Sequence, residues 1–166
     1  MNAQARTKFQ SQIEHYESLS QPIIYIDESG FAHDMPRTHG YAAKGLRCYG
    51  TQDWGAKGRT NVIGALLGKT LLCVCLLNCN VDSEVFHTWV TQQLLPVTPN
   101  NAVIVMDNAT FHKRTDTQQA IKKAGHILQF MPAYSPDLNP IEHKWAQAKA
   151  IRKSNQCSMQ KLFLKL

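Results

Sequence analysis

The chain contains 166 residues, 43% of them hydrophobic, and carries a formal net charge of +6 with a pI near 9.1. These values are typical of one folded domain with a polyanionic partner, and they argue against a disordered segment. Because no run of about 18 apolar residues is present and the N-terminal residues are polar, we expect no membrane span, no secretion signal and a cytoplasmic location.

The hydrophobic pattern predicts an α/β domain without internal repeats or linkers. In chain order, the predicted elements are a polar helix (3–18), a strand (23–26), a loop (31–60), two hairpin strands (61–68 and 70–77), a helix (82–95), a strand (102–106), a helix (115–124), a strand (126–131) and a final helix from residue 139. This order of elements is that of a domain built on a mixed sheet.

The cysteines indicate packing rather than cross-linking. They are Cys48, Cys73, Cys75, Cys79 and Cys157. An odd number of cysteines without a secretion signal fits no disulfide framework. Cys73 and Cys75 fall in an apolar, strand-like run, where small thiols are commonly buried, so we favour packing over a structural zinc site.

The segment AYSPDLNPIEHKW, residues 133–145, predicts the start of the final helix. Asn139 is the expected N-cap, and Pro140 suits the first helical position, where its missing N–H costs nothing. Glu142 falls where it would complete a capping box, so capping alone could explain this carboxylate. The residues of this helix that helical spacing predicts to be buried are Ile141, Trp145 and Ala148.

Three carboxylates occupy positions that can converge. Asp27 and Asp107 each follow a predicted buried strand, and each alone is typical of a turn or cap. If the two strands are neighbours, both side chains lie at the sheet edge where α/β folds place their sites, and Glu142 can face them. Hard oxygen ligands of this kind suit Mg²⁺ or Mn²⁺. Two such ions could activate a water or a 3′-hydroxyl and stabilise the leaving oxygen.

Three sequence blocks resemble the signature blocks of the DDE transposases. They are YIDESGF (Tyr25–Phe31), VIVMDNATFHK (Val103–Lys113) and YSPDLNPIEHKW (Tyr134–Trp145). The 34 residues between Asp107 and Glu142 are the spacing expected of the bacterial insertion-sequence branch of the mariner-like superfamily. Because several ordered blocks match at the right separations, over roughly residues 21–152, the resemblance is specific.

The resemblance implies a ribonuclease H-like fold, which is a five-stranded mixed sheet with three antiparallel and two parallel strands, flanked by helices. It implies that Asp27, Asp107 and Glu142 are the catalytic and metal-binding triad, with two Mg²⁺ or Mn²⁺ ions. Water would attack at a transposon end, and the freed 3′-hydroxyl would attack target DNA at TA. The implied partners are double-stranded DNA (transposon ends and target) and a second copy of the chain or a full-length transposase, in association with the bacterial nucleoid.

Further residues are candidates for supporting this chemistry. Asn108, His112 and His143 could orient water, DNA or a metal, although ordinary loop or surface positions would also explain the two histidines. Glu28 should point to the opposite side of its strand from Asp27, as a solvent-facing or supporting group. The candidates for contacts to the DNA backbone are Lys44, Arg47, Lys57, Arg59, Lys113, Arg114, Lys144 and Lys149.

The domain organisation departs from the full-length members of the resembled family, which carry helix-turn-helix modules ahead of this region. Too few residues precede the first predicted strand for one such module, so we expect a single catalytic domain over 1–166 without N-terminal DNA-recognition modules. Three hypotheses follow: the catalytic core of a cut-and-paste transposase, a stand-alone ribonuclease H-like nuclease, or a truncated remnant that binds DNA or inhibits a full-length transposase. Joining of a 3′-hydroxyl end would separate the first from the second.

Overall fold

The structure is a computed structural model that describes residues 3–33, 58–164 and 166. Its helices are α1 (Ala3–Ser18), α2 (Ser83–Trp89), α3 (Thr115–Lys123), α4 (Ile141–Asn155) and α5 (Met159–Phe163). Its strands are β1 (Ile23–Ala32), β2 (Arg59–Leu67), β3 (Thr70–Leu77), β4 (Val103–Met106) and β5 (Ile127–Phe130). Among these residues, no helix is long and apolar enough to cross a membrane.

The five strands form one mixed sheet in the order β3-β2-β1-β4-β5. The pairs β1–β2 and β2–β3 are antiparallel, as the predicted hairpin requires, and the pairs β1–β4 and β4–β5 are parallel. The predicted α/β fold class, a five-stranded mixed sheet flanked by helices, is confirmed. Since β1 and β4 are adjacent and parallel, with Tyr25 opposite Val105, Asp27 and Asp107 lie side by side two residues further along.

Helices cover both faces of the sheet because alternate residues of its central strands are apolar on each side. On one face, Ile104 of β4 packs with Phe86 of α2 and Ile121 of α3. On the other face, Val105 of β4 packs with Phe9 of α1, and the neighbouring cluster contains Trp145 of α4. Asp27 and Glu28 are consecutive in β1 and therefore point to opposite faces.

Strand β1 is longer than the sequence pattern predicts, and Asp27 lies inside it rather than after it. The reason is the unequal length of its two neighbours. Strand β4 pairs with β1 only over Ile23–Tyr25, whereas β2 pairs with it from Ile24 to Ala32. Asp27 is thus still in a strand, yet it already lies beyond the part of β1 that β4 covers. The predicted loop over 31–60 is largely outside the described residues, and its ends belong to β1 and β2.

The predicted helix over 82–95 is α-helical only as far as Trp89. It begins as expected, since Asp82 Oδ1 accepts the backbone N–H groups of Glu84 at 3.0 Å and Val85 at 2.8 Å. A π-helical turn follows over Val90–Leu94, and a 3₁₀ turn ends the segment. The change precedes Pro96, which has no N–H to continue the α-helical hydrogen bonds.

The predicted capping box of the final helix is wrong. Asn139 Oδ1 is buried and has no hydrogen-bond partner among the described residues, and α4 starts at Ile141. A 3₁₀ turn over Pro136–Leu138 precedes it, and the backbone carbonyl of Asn139, not its side chain, accepts the N–H of Glu142 at 3.2 Å. The carboxylate of Glu142 is therefore not used as a cap. The predicted buried residues of this helix are confirmed: Ile141, Trp145 and Ala148.

Candidate active site

Asp27, Asp107 and Glu142 line one cavity of about 420 Å³ at the carboxyl end of β4. They come from β1, from the residue after β4 and from the first turn of α4, so three separate elements bring them together. The carboxylates share the cavity without closing into a tight cluster: within the described part of the chain, no group of three or more His, Cys, Asp or Glu side chains is spaced to hold a metal ion.

Asp27 is held from the α4 side of the sheet. The indole Nε1 of Trp145 donates a hydrogen bond to Asp27 Oδ2 at 3.1 Å. Gly64 lies opposite Asp27 in β2, and the indole packs where a side chain at Gly64 would otherwise stand. Trp145 therefore has two roles, since it fills the core and orients a carboxylate of the cavity.

The environment of Asp27 disfavours its negative charge. Burial, and after it the charges of Glu28 and Glu142, raise the pKa of this carboxyl to about 7, and the hydrogen bond from Trp145 offsets only part of the change. Near neutral pH the carboxyl is therefore close to half protonated. A positive charge in the cavity would relieve the repulsion, which is the behaviour expected of a cation-binding carboxylate.

Asp107 is held by two donors on one oxygen. Its Oδ1 accepts the backbone N–H of Ala109 at 2.9 Å and Nδ1–H of His112 at 2.6 Å. The other ring nitrogen of His112 donates to Glu28 Oε1 at 2.8 Å. His112 is fully buried, whereas the side chain of Asp107 is 48% exposed toward the cavity side. A buried imidazole thus connects Asp107 to the strand that carries Asp27.

The two carboxylates of this connection share one cation, whereas Asp27 faces other carboxylates. Burial alone would lower the pKa of His112, but hydrogen bonds to Asp107 and Glu28, with their charges, outweigh it and raise the pKa to about 9. The hydrogen bond from His112 in turn lowers the pKa of Asp107 below its usual value. At neutral pH, His112 is therefore a cation between two carboxylates.

Glu142 offers a carboxylate with no competing partner. Its backbone is fixed because Ile141 and Trp145, on either side of it in α4, are buried in the core. Its side chain is exposed and makes no hydrogen bond or ion pair with any other described residue. This carboxylate is free to take a ligand in the cavity.

The supporting candidates are distributed differently from the expectation. Asn108 is exposed and lines the cavity. His112 is buried behind Asp107, so it reaches a ligand only through that carboxylate. His143 lines a separate groove of about 650 Å³, beside Tyr25 and Asp137, and is not brought to the cavity. Of the three, only Asn108 lies where it can touch a molecule bound between the carboxylates.

The candidates for DNA contacts are partly placed. Lys44, Arg47 and Lys57 lie outside the described residues. Arg59 and Lys113 are exposed, Lys144 is partly buried, and Lys149 is exposed with its Nζ 5.5 Å from the ring centroid of Phe31. Arg114 is paired with Asp116 at 2.8 Å. Of the described candidates, Lys113 and Lys149 are therefore the most available to an anionic partner, together with Arg59, whose Nε donates to Asn61 Oδ1 at 2.9 Å.

Two contacts of the site have no local signature in the sequence. Trp145 and Asp27 are 118 positions apart, and His112 and Glu28 are 84 positions apart. The pattern predicts Trp145 only as a core residue and Glu28 only as a group on the far side of the strand. The parallel pairing of β1 with β4 brings His112 to Glu28, whereas the packing of α4 against β1 and β2 brings Trp145 to Asp27.

A sequence comparison gives a consistent family match. The family described as "DDE superfamily endonuclease" matches residues 22–162. The transposable element Tc3 transposase of Caenorhabditis elegans is 28% identical over 131 residues, which are 74% of this chain and 40% of that protein. The chain therefore spans well under two-thirds of the curated relative.

Solved structures of Mos1 transposase share the fold. The Mos1 paired-end complex with the left transposon end matches with a TM-score of 0.70 at 17% identity, over 92% of this chain and 50% of that one. The mariner Mos1 paired-end complex with Mg matches with a TM-score of 0.68 at 17% identity, over 90% of this chain and 48% of that one. These similarities confirm the ribonuclease H-like fold.

Proposed function

Because the chain belongs to the DDE superfamily endonucleases, we propose that it is the catalytic domain of a cut-and-paste DNA transposase. The observation that carries the proposal is the single cavity lined by Asp27, Asp107 and Glu142 from three separate elements. Within the family, we propose the bacterial insertion-sequence branch of the mariner-like superfamily, on the spacing of Asp107 and Glu142. Its place of action would then be DNA in the bacterial cytoplasm.

The donor set of the cavity fits a hard divalent cation. All three side chains offer carboxylate oxygens, and the pKa of Asp27, which burial and the charges of Glu28 and Glu142 raise, is one that a bound cation would lower. We propose that Asp27, Asp107 and Glu142 hold two Mg²⁺ or Mn²⁺ ions, and the similarity to a Mos1 complex with Mg supports the choice of metal. When bound, such ions lower the pKa of an attacking water or 3′-hydroxyl and stabilise the leaving oxygen.

The residues of the chain contribute position and charge. Trp145 orients Asp27, and Ala109 with His112 orients Asp107, so two carboxylates are held from behind while their other oxygens remain available. Glu142 is added by the rigid first turn of α4. Asn108 is exposed at the cavity, and we propose that it contacts a nucleotide or a water at the reacting phosphate.

We propose double-stranded DNA as the partner, first the transposon ends and then the target. Arg59, Lys113 and Lys149 would contact the phosphate backbone, which gives affinity and salt dependence without sequence recognition. A second copy of the chain is the proposed protein partner, and the likeness to a paired-end complex of Mos1 transposase supports it. Recognition of the transposon ends would depend on segments of the kind found in the part of the larger relatives that this chain does not match.

Nicking of supercoiled plasmid tests the proposal. In Mn²⁺ at low salt, the wild-type chain should nick DNA, and both EDTA and the Asp107→Asn substitution should abolish nicking. Asp116→Asn, a change of the same kind outside the cavity, should leave nicking intact. Nicking that persists in Asp107→Asn, or a folded wild-type chain that never nicks, would refute the assignment.

A second measurement separates a transposase from a stand-alone nuclease. A short DNA with a precut 3′-hydroxyl end is incubated with target plasmid and Mn²⁺. Joined product from the wild-type chain, absent with Asp107→Asn, supports strand transfer. Nicking without any joining would favour a nuclease that acts by hydrolysis alone.

A further inference from the structure

We propose that His112 is a positioning residue for the site: it holds Asp107 by one carboxylate oxygen and leaves the other for a ligand, and Glu28 holds His112. The inference rests on the proposed function, in which Asp107 binds a divalent ion. It concerns a residue that touches neither ion nor DNA, because His112 is fully buried.

Asp107 is fixed by hydrogen bonds to one of its two carboxylate oxygens. Its Oδ1 accepts two hydrogen bonds, from Ala109 N–H at 2.9 Å and from His112 Nδ1–H at 2.6 Å. Two donors on one oxygen restrict rotation of the carboxylate about its side-chain bond. Oδ2 has no hydrogen-bond partner among the described residues, so it is the oxygen left for a ligand.

The imidazole of His112 is itself fixed in position. Its ring lies 4.3 Å from the ring of Phe86 and 4.2 Å from that of Phe111, measured between centroids. Its Nε2–H donates to Glu28 Oε1 at 2.8 Å, and the Glu28 side chain is only 18% exposed. The imidazole is thus fixed by packing on its faces and by a carboxylate at each nitrogen.

The hydrogen bonds from His112 to Glu28 and to Asp107 connect the two strands of the site. Glu28 is adjacent to Asp27 in β1 and points to the opposite face, while His112 belongs to the segment after β4. The contacts Glu28–His112–Asp107 therefore tie the segment that carries Asp107 to the strand that carries Asp27. The distance between the two proposed metal ligands Asp27 and Asp107 therefore depends on the buried His112.

The direction of the change in metal affinity when His112 is removed distinguishes a positioning role from an effect of charge. Loss of a group that orients a metal ligand typically weakens metal binding by about 10–100-fold. Removing the imidazole beside Asp107 cannot weaken cation binding by charge alone, because an imidazole carries no negative charge in either protonation state. Weaker binding after His112 is removed therefore identifies positioning.

The test is a calorimetric titration of Mn²⁺ into the full chain, at a temperature where circular dichroism shows each variant folded. His112→Ala should raise the Kd by about 10–100-fold and Glu28→Gln by about 10-fold. If Glu28 acts through His112, the double variant should bind no more weakly than His112→Ala alone. The matched control is His126→Ala, another buried histidine, whose Nδ1 accepts the backbone N–H of Ala102 at 3.3 Å, and its Kd should stay within about twofold of wild type.

Each outcome decides the proposal. A Kd for His112→Ala that equals or falls below the wild-type value would overturn it. A Glu28→Gln effect that persists unchanged in the His112→Ala background would show that Glu28 acts by its own charge. If His112→Ala does not fold, His112→Gln takes its place, since its amide can bond one carboxylate but not both. A wild-type chain that binds no Mn²⁺ would refute the metal site first, and the positioning role with it, whereas wild-type binding with an unaffected variant refutes the positioning role alone.

Discussion

Replacing Gly64 with alanine should destabilise the fold because it drives a methyl group into Trp145. Gly64 faces Asp27 across the β1–β2 pair. A Cβ at this position would lie 2.5 Å from Trp145 Cη2 and 3.0 Å from Cζ2, whereas ordinary contacts begin at 3.4 Å. The indole or the strand must therefore shift by about 1 Å.

The indole has little room to retreat. Trp145 is 1% exposed, and its ring meets those of Phe31 and Phe163 edge-on at centroid distances of 6.4 and 6.3 Å. Overpacking of this kind costs about 1–3 kcal/mol. A loss of about 2 kcal/mol in a domain of this size lowers the Tm by about 4–8 °C. A shifted indole also weakens its hydrogen bond to Asp27.

Urea denaturation followed by tryptophan fluorescence measures the change in the free energy of unfolding. Gly30→Ala is the matched control: its Cβ would come still closer to the guanidinium of Arg59, but that exposed side chain can move away with the loss of its 2.9 Å hydrogen bond to Asn61, so the cost should be below about 1 kcal/mol. In a Trp145→Phe background the smaller ring leaves space, and Gly64→Ala should cost less. An equal cost in both backgrounds would refute the packing argument and assign the loss to the strand itself.

Three further predictions concern charge and packing. The pKa of Asp27 is raised from 3.8 to about 7, so its contribution to stability is complete below about pH 4 and lost as pH rises through about 7. The free energy of unfolding in urea should fall by up to about 4 kcal/mol over that range, and Asp27→Asn should lack this fall. Phe9→Ala removes a ring that is 4% exposed under α1 and should cost about 3–5 kcal/mol in thermal unfolding; a loss below about 1 kcal/mol would mean that α1 is not docked. Lys113→Ala and Lys149→Ala should each reduce the slope of log DNA affinity against log salt by about 1 in anisotropy titrations, and an unchanged slope would remove that residue from the DNA surface.

The parts of the fold that could be predicted are those with local causes. The hairpin between β2 and β3 follows from two apolar runs around Gly68, which adopts a φ of +60° at the turn. The burial of Ile141 and Trp145 follows from helical spacing. The end of β1 could not be predicted in this way, because strand length there depends on pairing with β2, and residues 33–58 separate the two strands in the sequence.

The candidate site, too, has parts that could be predicted from the sequence and parts that could not. The carboxylates Asp27, Asp107 and Glu142 could be selected from strand ends, a helix start and a family resemblance. His112 could be named as a supporting candidate and Trp145 as a core residue, but their contacts with Glu28 and Asp27 could not be predicted, because each contact joins distant segments. The failed cap at Asn139 has a local cause instead: a 3₁₀ turn over Pro136–Leu138, stabilised by its own backbone, determines how the chain enters α4.

The carboxylates of the cavity lie in opposite electrostatic environments, and this opposition has a chemical consequence. The cation His112 lowers the pKa of Asp107, which is therefore ionised at neutral pH whatever the cavity contains. Burial and the charges of Glu28 and Glu142 raise the pKa of Asp27 to about 7, so its ionisation depends on what enters. A divalent cation favours the ionised form, hence its binding should release a proton from Asp27 and strengthen as pH rises toward 7. The fold alone thus keeps Asp107 ionised, whereas Asp27 becomes fully ionised only when a cation binds.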